Sequence, residues 1–387
     1  MFRSIIEQRP HWRESASEFG FNFHTLYGQA YWDESAYYQF SLKQIERDLE
    51  APTQELHQMC LAVVEQVVAD QQWMEKFKIP EQHWDFIRNS WLAKDPSLYA
   101  RLDLAYGGSG AAKLYENNAD TPTSLYETGF WQWLWLQDQV NSGKLPRQAD
   151  QFNSLQEKLI QRFAQLKTQH PGERLHFCCC KDTEEDRGTV QYLEDCAKAA
   201  GIECKFIYVD DIGLTADHCF SDLENNQITW MFKLYPWEFM LKEAFADHLV
   251  DSAVSWIEPP WKSILSNKAL LPMLYKMFPG HPNLLASYFE DEFSSDTLLN
   301  FVKKPIFARE GANISINLAG KPSYQSSGPY GAEGFIYQQY SPLPAFGDNF
   351  TLIGSWLVND KPAGISVRED KNRITQDLSR YLPHIIL

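Results

Sequence analysis

The sequence predicts a mixed chain of the α+β / α/β class, with a helical N-terminal region, a small βαβ-containing domain and a C-terminal antiparallel sheet. Three observations carry this expectation. Apolar residues recur at three-and-four spacing in the first part of the chain, a strand–helix–strand pattern occupies 174–211, and short strands alternate with turns from Lys303 onward. A length of 387 residues suits two or three compact units. The reading divides them as 1–170, 171–260 and 261–387.

Taken in order, residues 1–90 read as helical. Leu42, Ile45 and Leu49 form one amphipathic stripe, and Leu56, Cys60, Val63, Val64, Val67 and Val68 form another. Pro52-Thr53 is expected to separate two helices, with the threonine as a cap. Tyr126–Asp138 crowds three tryptophans onto a predicted buried helix, and Leu155–Leu166 is again helix-like. The pattern then changes to a strand at Leu175–Cys180, a helix at Thr189–Ala200, a stop at Gly201 and a strand at Lys205–Val209. That βαβ unit implies a parallel sheet covered by helices. Thr351–Val358 and Ala363–Arg368 flank a turn and predict antiparallel pairing, while Ser323–Gly334 reads as a loop.

Composition narrows the function. Lys and Arg total 35 against 51 Asp and Glu, a net charge of −16, which lacks the basic footprint of a nucleic-acid binder. The N-terminus carries charges and a proline where a secretion signal needs an unbroken apolar stretch, and Phe130–Leu136 is too short to span a bilayer. A cytoplasmic chain with no membrane partner is expected. The seven cysteines suit a reducing compartment. His176, Cys178 and Cys180 alternate along one strand, but without a C-x-x-C pair they read as buried packing rather than a zinc site.

The most informative local feature is Arg101 to Asn118. Gly107-Gly-Ser-Gly110 is a turn between alternating segments and predicts a β-hairpin. In the expected register Tyr106 opposes Ala111, Asp103 opposes Leu114 and Arg101 opposes Glu116. Arg101, Asp103, Glu116 and Asn118 then share one face. Such oxygen ligands suit Mg²⁺, and a solvated face with one cross-strand ion pair produces the same pattern. A second constellation joins Lys268 to Lys304, Arg309 and Gly311, in which a glycine loop lets backbone N–H groups approach an anion. Neither the P-loop nor the dinucleotide fingerprint occurs.

YWDES (31–35), ARLDLAYGG (100–108), YENNADTPTS (115–124), KDTEED (181–186), WKSILSNK (261–268), VKKPIFAREG (302–311), IYQQY (336–340) and VRED (367–370) run in order along the chain. With these motifs the sequence resembles the synthetase half of glutathionylspermidine synthase and its stand-alone acid–amine ligase relatives. The resemblance implies a permuted ATP-grasp fold and an ATP- and Mg²⁺-dependent ligase that joins a peptide-like acid, such as glutathione, to a polyamine such as spermidine. It implies passage through an acyl phosphate with release of ADP.

By the same resemblance Asp103, Glu116 and Asn118 hold magnesium. Arg101, Lys268, Lys304, Gly311 and Arg368 bind the nucleotide, with Gln338 or Gln339 near the adenine. Arg309 and Arg101 serve the chemistry. Thr121 and Thr123, with Pro122 between them, stand where the family has serines lining its thiol-peptide pocket. Glu184 and Glu185 match a carboxylate pair that receives the polyamine. The amidase half is not expected in this length. The sequence leaves the oligomeric state open. Two other functions stand beside this one: a degenerate nucleotide binder without ligase activity, and a carbohydrate-active protein using the thirteen tryptophans.

Overall fold

The computed structural model describes residues 1–321, 323–376 and 379–387. Its largest sheet is antiparallel. Its strands lie in the order Arg380–Leu382, Lys361–Asp370, Asn349–Val358, Tyr99–Ala105 and Lys113–Asn118, with Ala345–Phe346 also pairing on Asn349–Val358. The early hairpin is therefore joined to the C-terminal one: Gly354 pairs with Asp103 and Trp356 with Arg101. A second sheet is wholly parallel, in the order Ser255–Ile257, Trp230–Leu234, Leu175–Cys179 and Cys204–Tyr208. The helix Glu184–Ala199 makes the crossover of the expected βαβ unit. It starts before the expected Thr189 because its acidic first turn (Glu184, Glu185, Asp186) complements the positive end of the helix dipole. A third sheet is antiparallel, ordered Ser287–Phe289, Phe335–Gln339, Phe301–Pro305, Ser315–Asn317 and Tyr324–Gln325.

The N-terminal region is less helical than expected. Phe2–Ile5 and Ala36–Phe40 are strands that join His384–Ile386 in a three-stranded sheet. A partner at the far end of the chain supplies this pairing, so local spacing carries no trace of it. The expected break at Pro52-Thr53 is also absent. A stretch of wide π-turns, Gln44–Glu50, runs straight into the helix Ala51–Ala69, with Pro52 in its first turn. Proline cannot donate to the carbonyls of the preceding turn, and the ladder is widened to π-turns up to the residue before the α-helix starts. Thr53 caps nothing; its hydroxyl meets Ser355 Oγ at 2.7 Å. The stripe Leu56, Cys60, Val63, Val64 and Val67 packs in one core with Leu102, Leu104, Ile353 and Ile365 of the large sheet.

Every tryptophan except Trp133 is buried or half-buried, so these rings build core rather than an exposed sugar platform. All seven cysteines are free. His176 lies 3.6 Å from Asp222, and among the described residues no three His, Cys, Asp or Glu side chains cluster to hold a metal. No described helix is long and apolar enough to cross a membrane.

Candidate active site

The hairpin differs from its expected register by one residue at Leu104 and by two at Asp103 and Arg101. Asp103 pairs with Glu116 and Arg101 with Asn118, while Leu104 pairs with Leu114. Tyr115 is thus the extra residue of a β-bulge. Its carbonyl is taken by the Lys304 ammonium at 2.9 Å, a contact from a strand far along the chain. A turn one residue longer than expected and the bulge together move Glu116 from beside Arg101 to beside Asp103 and leave all four polar residues on one face.

That face lines a cavity of about 450 Å³. Arg101 forks onto Asp103, Nε to Oδ1 at 2.7 Å and Nη2 to Oδ2 at 3.2 Å. Asn118 Nδ2 donates to Asp103 Oδ2 at 3.1 Å and to Glu116 Oε1 at 3.4 Å. Lys268 Nζ is 3.0 Å from Glu116 Oε2 and also donates to the Ala308 carbonyl. Lys304 Nζ donates to Gln338 Oε1 at 2.7 Å. Burial favours the neutral form of Asp103, against the pull of Arg101, and raises its pKa. Burial acts on Glu116 in the same sense, but Lys268 and Lys304 outweigh it and hold Glu116 below the ordinary carboxylate range. Burial lowers the Lys304 ammonium to about 8, against the attraction of Glu116. Arg101 stays charged because Asp103 overcomes the cost of its burial.

Two hairpin carboxylates thus face Arg101, Lys268, Lys304 and Arg368 within one cavity. The excess of positive charge favours a polyanion. The donor set of two carboxylates and an amide oxygen is the hard-oxygen set that magnesium takes, and one amide already spans both carboxylates. The residues present therefore fit a divalent cation.

Other predicted residues reach the same space. Gly311 lines the cavity at φ 69°, and a Cβ there would collide with the Thr375 carbonyl. Arg368 donates to the Gln376 carbonyl at 2.7 Å while its buried Nε has no partner among the described residues. Gln338 is buried and holds Lys304. Gln339 is exposed and pairs its backbone N–H with the Ala286 carbonyl at 2.7 Å. Thr121 Oγ1 accepts from Arg309 Nη2 at 2.8 Å, and the Thr123 carbonyl accepts from Arg101 Nη1 at 2.9 Å.

Glu184 is the exception. It is exposed and lies outside the cavity lining, whereas Glu185 is part of it. Both sit in the first turn of one helix, where successive side chains point about 100° apart, so the pair cannot face one ligand together. The acidic wall is instead Glu185 with Asp182, Asp186 and Glu238, the last 3.9 Å from Arg309. Burial raises the pKa of Glu185, Asp186 and Glu238 alike.

Several of these residues were not singled out from the sequence. Asp182 and Asp186 stand in KDTEED and Tyr31 in YWDES, so the motifs contained them. Tyr340 likewise closes IYQQY, whereas Glu238 and Arg373 had no local signal. Asp120 is a further case. Its buried carboxylate meets Lys233 at 2.5 Å and the Trp237 N–H at 2.8 Å, which ties the Thr121–Thr123 segment to the parallel sheet.

The family model described as glutathionylspermidine synthase preATP-grasp matches residues 3–387. A Haemophilus influenzae protein provisionally named acid–amine ligase is 38% identical, over 97% of each chain. A trypanothione synthetase of Crithidia fasciculata is 28% identical over 83% of this chain and 52% of its own length. The bifunctional glutathionylspermidine synthetase/amidase of Escherichia coli is 25% identical over 93% of this chain and 61% of its own. The chain therefore spans about half to three-fifths of the latter two relatives. Among solved structures, a glutathione synthetase-like effector from Globodera pallida superposes with a TM-score of 0.52 at 11% identity, covering 98% of each chain.

Proposed function

Because this chain belongs to the glutathionylspermidine synthase preATP-grasp family, and is thus an acid–amine ligase, we propose that it forms an amide bond at the expense of ATP within a permuted ATP-grasp arrangement. One observation carries the reading. Asp103 and Glu116, opposed across a hairpin, share a cavity with Lys268 and Lys304 from far later in the chain, and an acidic wall lies in that same cavity.

The chemistry follows from the charges. A carboxylate oxygen of the acid attacks the γ-phosphorus of ATP, the bond to the bridging oxygen breaks and ADP leaves. The neutral amine nitrogen then attacks the acyl carbon, the C–O bond to phosphate breaks with its electron pair on phosphate, and the proton lost from nitrogen leaves with the phosphate. Phosphorylation is needed because oxide is too poor a leaving group for direct attack. Arg101, Lys268, Lys304 and Arg368 offset the charge on the phosphates, and Arg309 stands between the Thr121 segment and the acidic wall. A divalent cation held by Asp103, Glu116 and Asn118 would supply further neutralisation of phosphate oxygens. Thr121 and Thr123 would orient a peptide-like acid. Glu185, Asp182, Asp186 and Glu238 would receive a cationic amine such as a polyamine.

ADP release, screened over small peptides against di- and polyamines with product mass read directly, tests the reading. An amide product is expected from one pairing; ATP hydrolysis with no amide in any pairing would overturn it. Asp103→Asn and Glu116→Gln are each expected to lower turnover at least ~100-fold while the folded spectrum is unchanged. Wild-type turnover in either variant would remove the hairpin from the chemistry.

A further inference from the structure

One carboxyl lies behind the acidic wall with no role in the steps above. Glu127, on the wide turn Glu127–Trp131, has no solvent exposure, and neither of its oxygens has a hydrogen-bond partner among the described residues. An ionised carboxylate in that setting is strongly disfavoured. Its surroundings point to a specific arrangement. The Tyr31 hydroxyl donates its one proton to Glu185 Oε1 at 2.7 Å, and its oxygen is left to interact with Glu127. Glu185 in turn lines the cavity.

The other titratable and charged groups acting on the pair are few. Arg101 from the hairpin faces Glu127, and Tyr126 neighbours it on its own turn. Asp186 and Arg368 act on Glu185, with Tyr381 nearby. Burial, reinforced by the charge of Glu185, pushes Glu127 up to about 8. Two buried carboxyls whose charges repel one another retain one proton between them.

Resting on the amine reading above, we infer that Glu127 and Glu185, bridged by Tyr31, share one proton at neutral pH and exchange it for the ammonium group of the incoming amine. In the free protein the proton is on Glu127, while Glu185, held by the Tyr31 hydroxyl, carries the charge. An ammonium beside Glu185 stabilises a second negative charge. The O–H bond of Glu127 then breaks, its electron pair stays on the carboxylate and the proton leaves to the buffer. Glu127 is thus a positioning residue that acts through Tyr31 and Glu185. The sign follows from the exchange: raising the pH removes the competing proton, so amine affinity rises until the pair is fully ionised.

Calorimetric titration of spermidine into the full chain, in buffers of different ionisation enthalpy, counts the protons released. The wild type is expected to release about one proton per amine near pH 7, and Glu127→Gln close to none. The variant's affinity should also lose the rise expected between about pH 6.5 and 8.5. Tyr31→Phe keeps the buried acid but removes the bridge, and should show reduced release even if Glu127→Gln does not fold. Infrared spectroscopy of the ligand-free chain should show a protonated-carboxyl band that Glu127→Gln removes or, if that variant does not fold, that Tyr31→Phe shifts. Spermidine binding with equal proton release and an equal pH slope in wild type and variants would overturn the exchange while leaving the amine reading intact. Failure of spermidine to bind any form would overturn the amine reading and the exchange with it, with the infrared band still reporting the state of Glu127.

Discussion

Lys304 shows how one side chain comes to serve a polyanion. Its ammonium is buried between the Tyr115 carbonyl and the Gln338 amide, and burial has already lowered its pKa to about 8. In the proposed site a phosphate arriving there would relieve that destabilised charge, which suits the residue to binding the anion. Lys304→Met should lower ATP turnover by ~10²–10³ through the loss of a preorganised donor. It should also lower the melting temperature, because the Tyr115 carbonyl and Gln338 Oε1 lose their donor. ADP release and a thermal melt check both, and an unchanged rate would remove Lys304 from the site. At this scale the sequence was most legible where chemistry is local. Asp103, Glu116 and Asn118 lie on one hairpin, and strand alternation puts Glu116 and Asn118 on one face of their strand. Glu127 was not legible, because a glutamate in a tryptophan-rich helical pattern gives no sign that Tyr31 and Glu185 will close over it.

The elements carry a different kind of information. The bulge at Tyr115 sets Glu116 opposite Asp103, and nothing in YENN announces it; the Lys304 contact that accompanies it is tertiary. The glycine loop is a second case. Gly311 adopts φ 69° with no room for a Cβ beside the Thr375 carbonyl. Gly311→Ala therefore combines backbone strain with a clash and should displace the loop from 374–376. We expect an increase of roughly tenfold or more in KM for ATP, with a smaller effect on amine binding. Steady-state kinetics with each substrate varied in turn would check this, and an equal rise for both substrates would contradict a role confined to the nucleotide. The helix Glu184–Ala199 makes the same point in reverse. Its existence was plain from spacing, but its start decided which carboxylates face the cavity, and helix ends are where periodicity is weakest.

Across the whole molecule, the termini close on each other. Glu369, fully buried on the strand Lys361–Asp370, accepts hydrogen bonds from Arg3, Tyr38 and Arg380, the last at 2.9 Å. It clamps the first strand, Phe2–Ile5, to the large sheet that carries the hairpin. Glu369→Ala leaves the buried Tyr38 hydroxyl and the half-buried guanidinium groups of Arg3 and Arg380 without this acceptor and should cost ~1–3 kcal/mol, read from the urea midpoint. A loss below about 1 kcal/mol would show that the clamp adds little. By itself the sequence determined the βαβ unit, the acidic hairpin face, the order of acid before lysine and the family. Each of these rests on contacts between residues close in the chain, or on motifs that survive as strings. Only the tertiary structure decided which residues meet: the N-terminal strands, the bulge, the exclusion of Glu184, the acidic wall and the clamp at Glu369. These depend on partners tens to hundreds of residues apart, and a pairing over that distance leaves no periodicity in either partner's own segment.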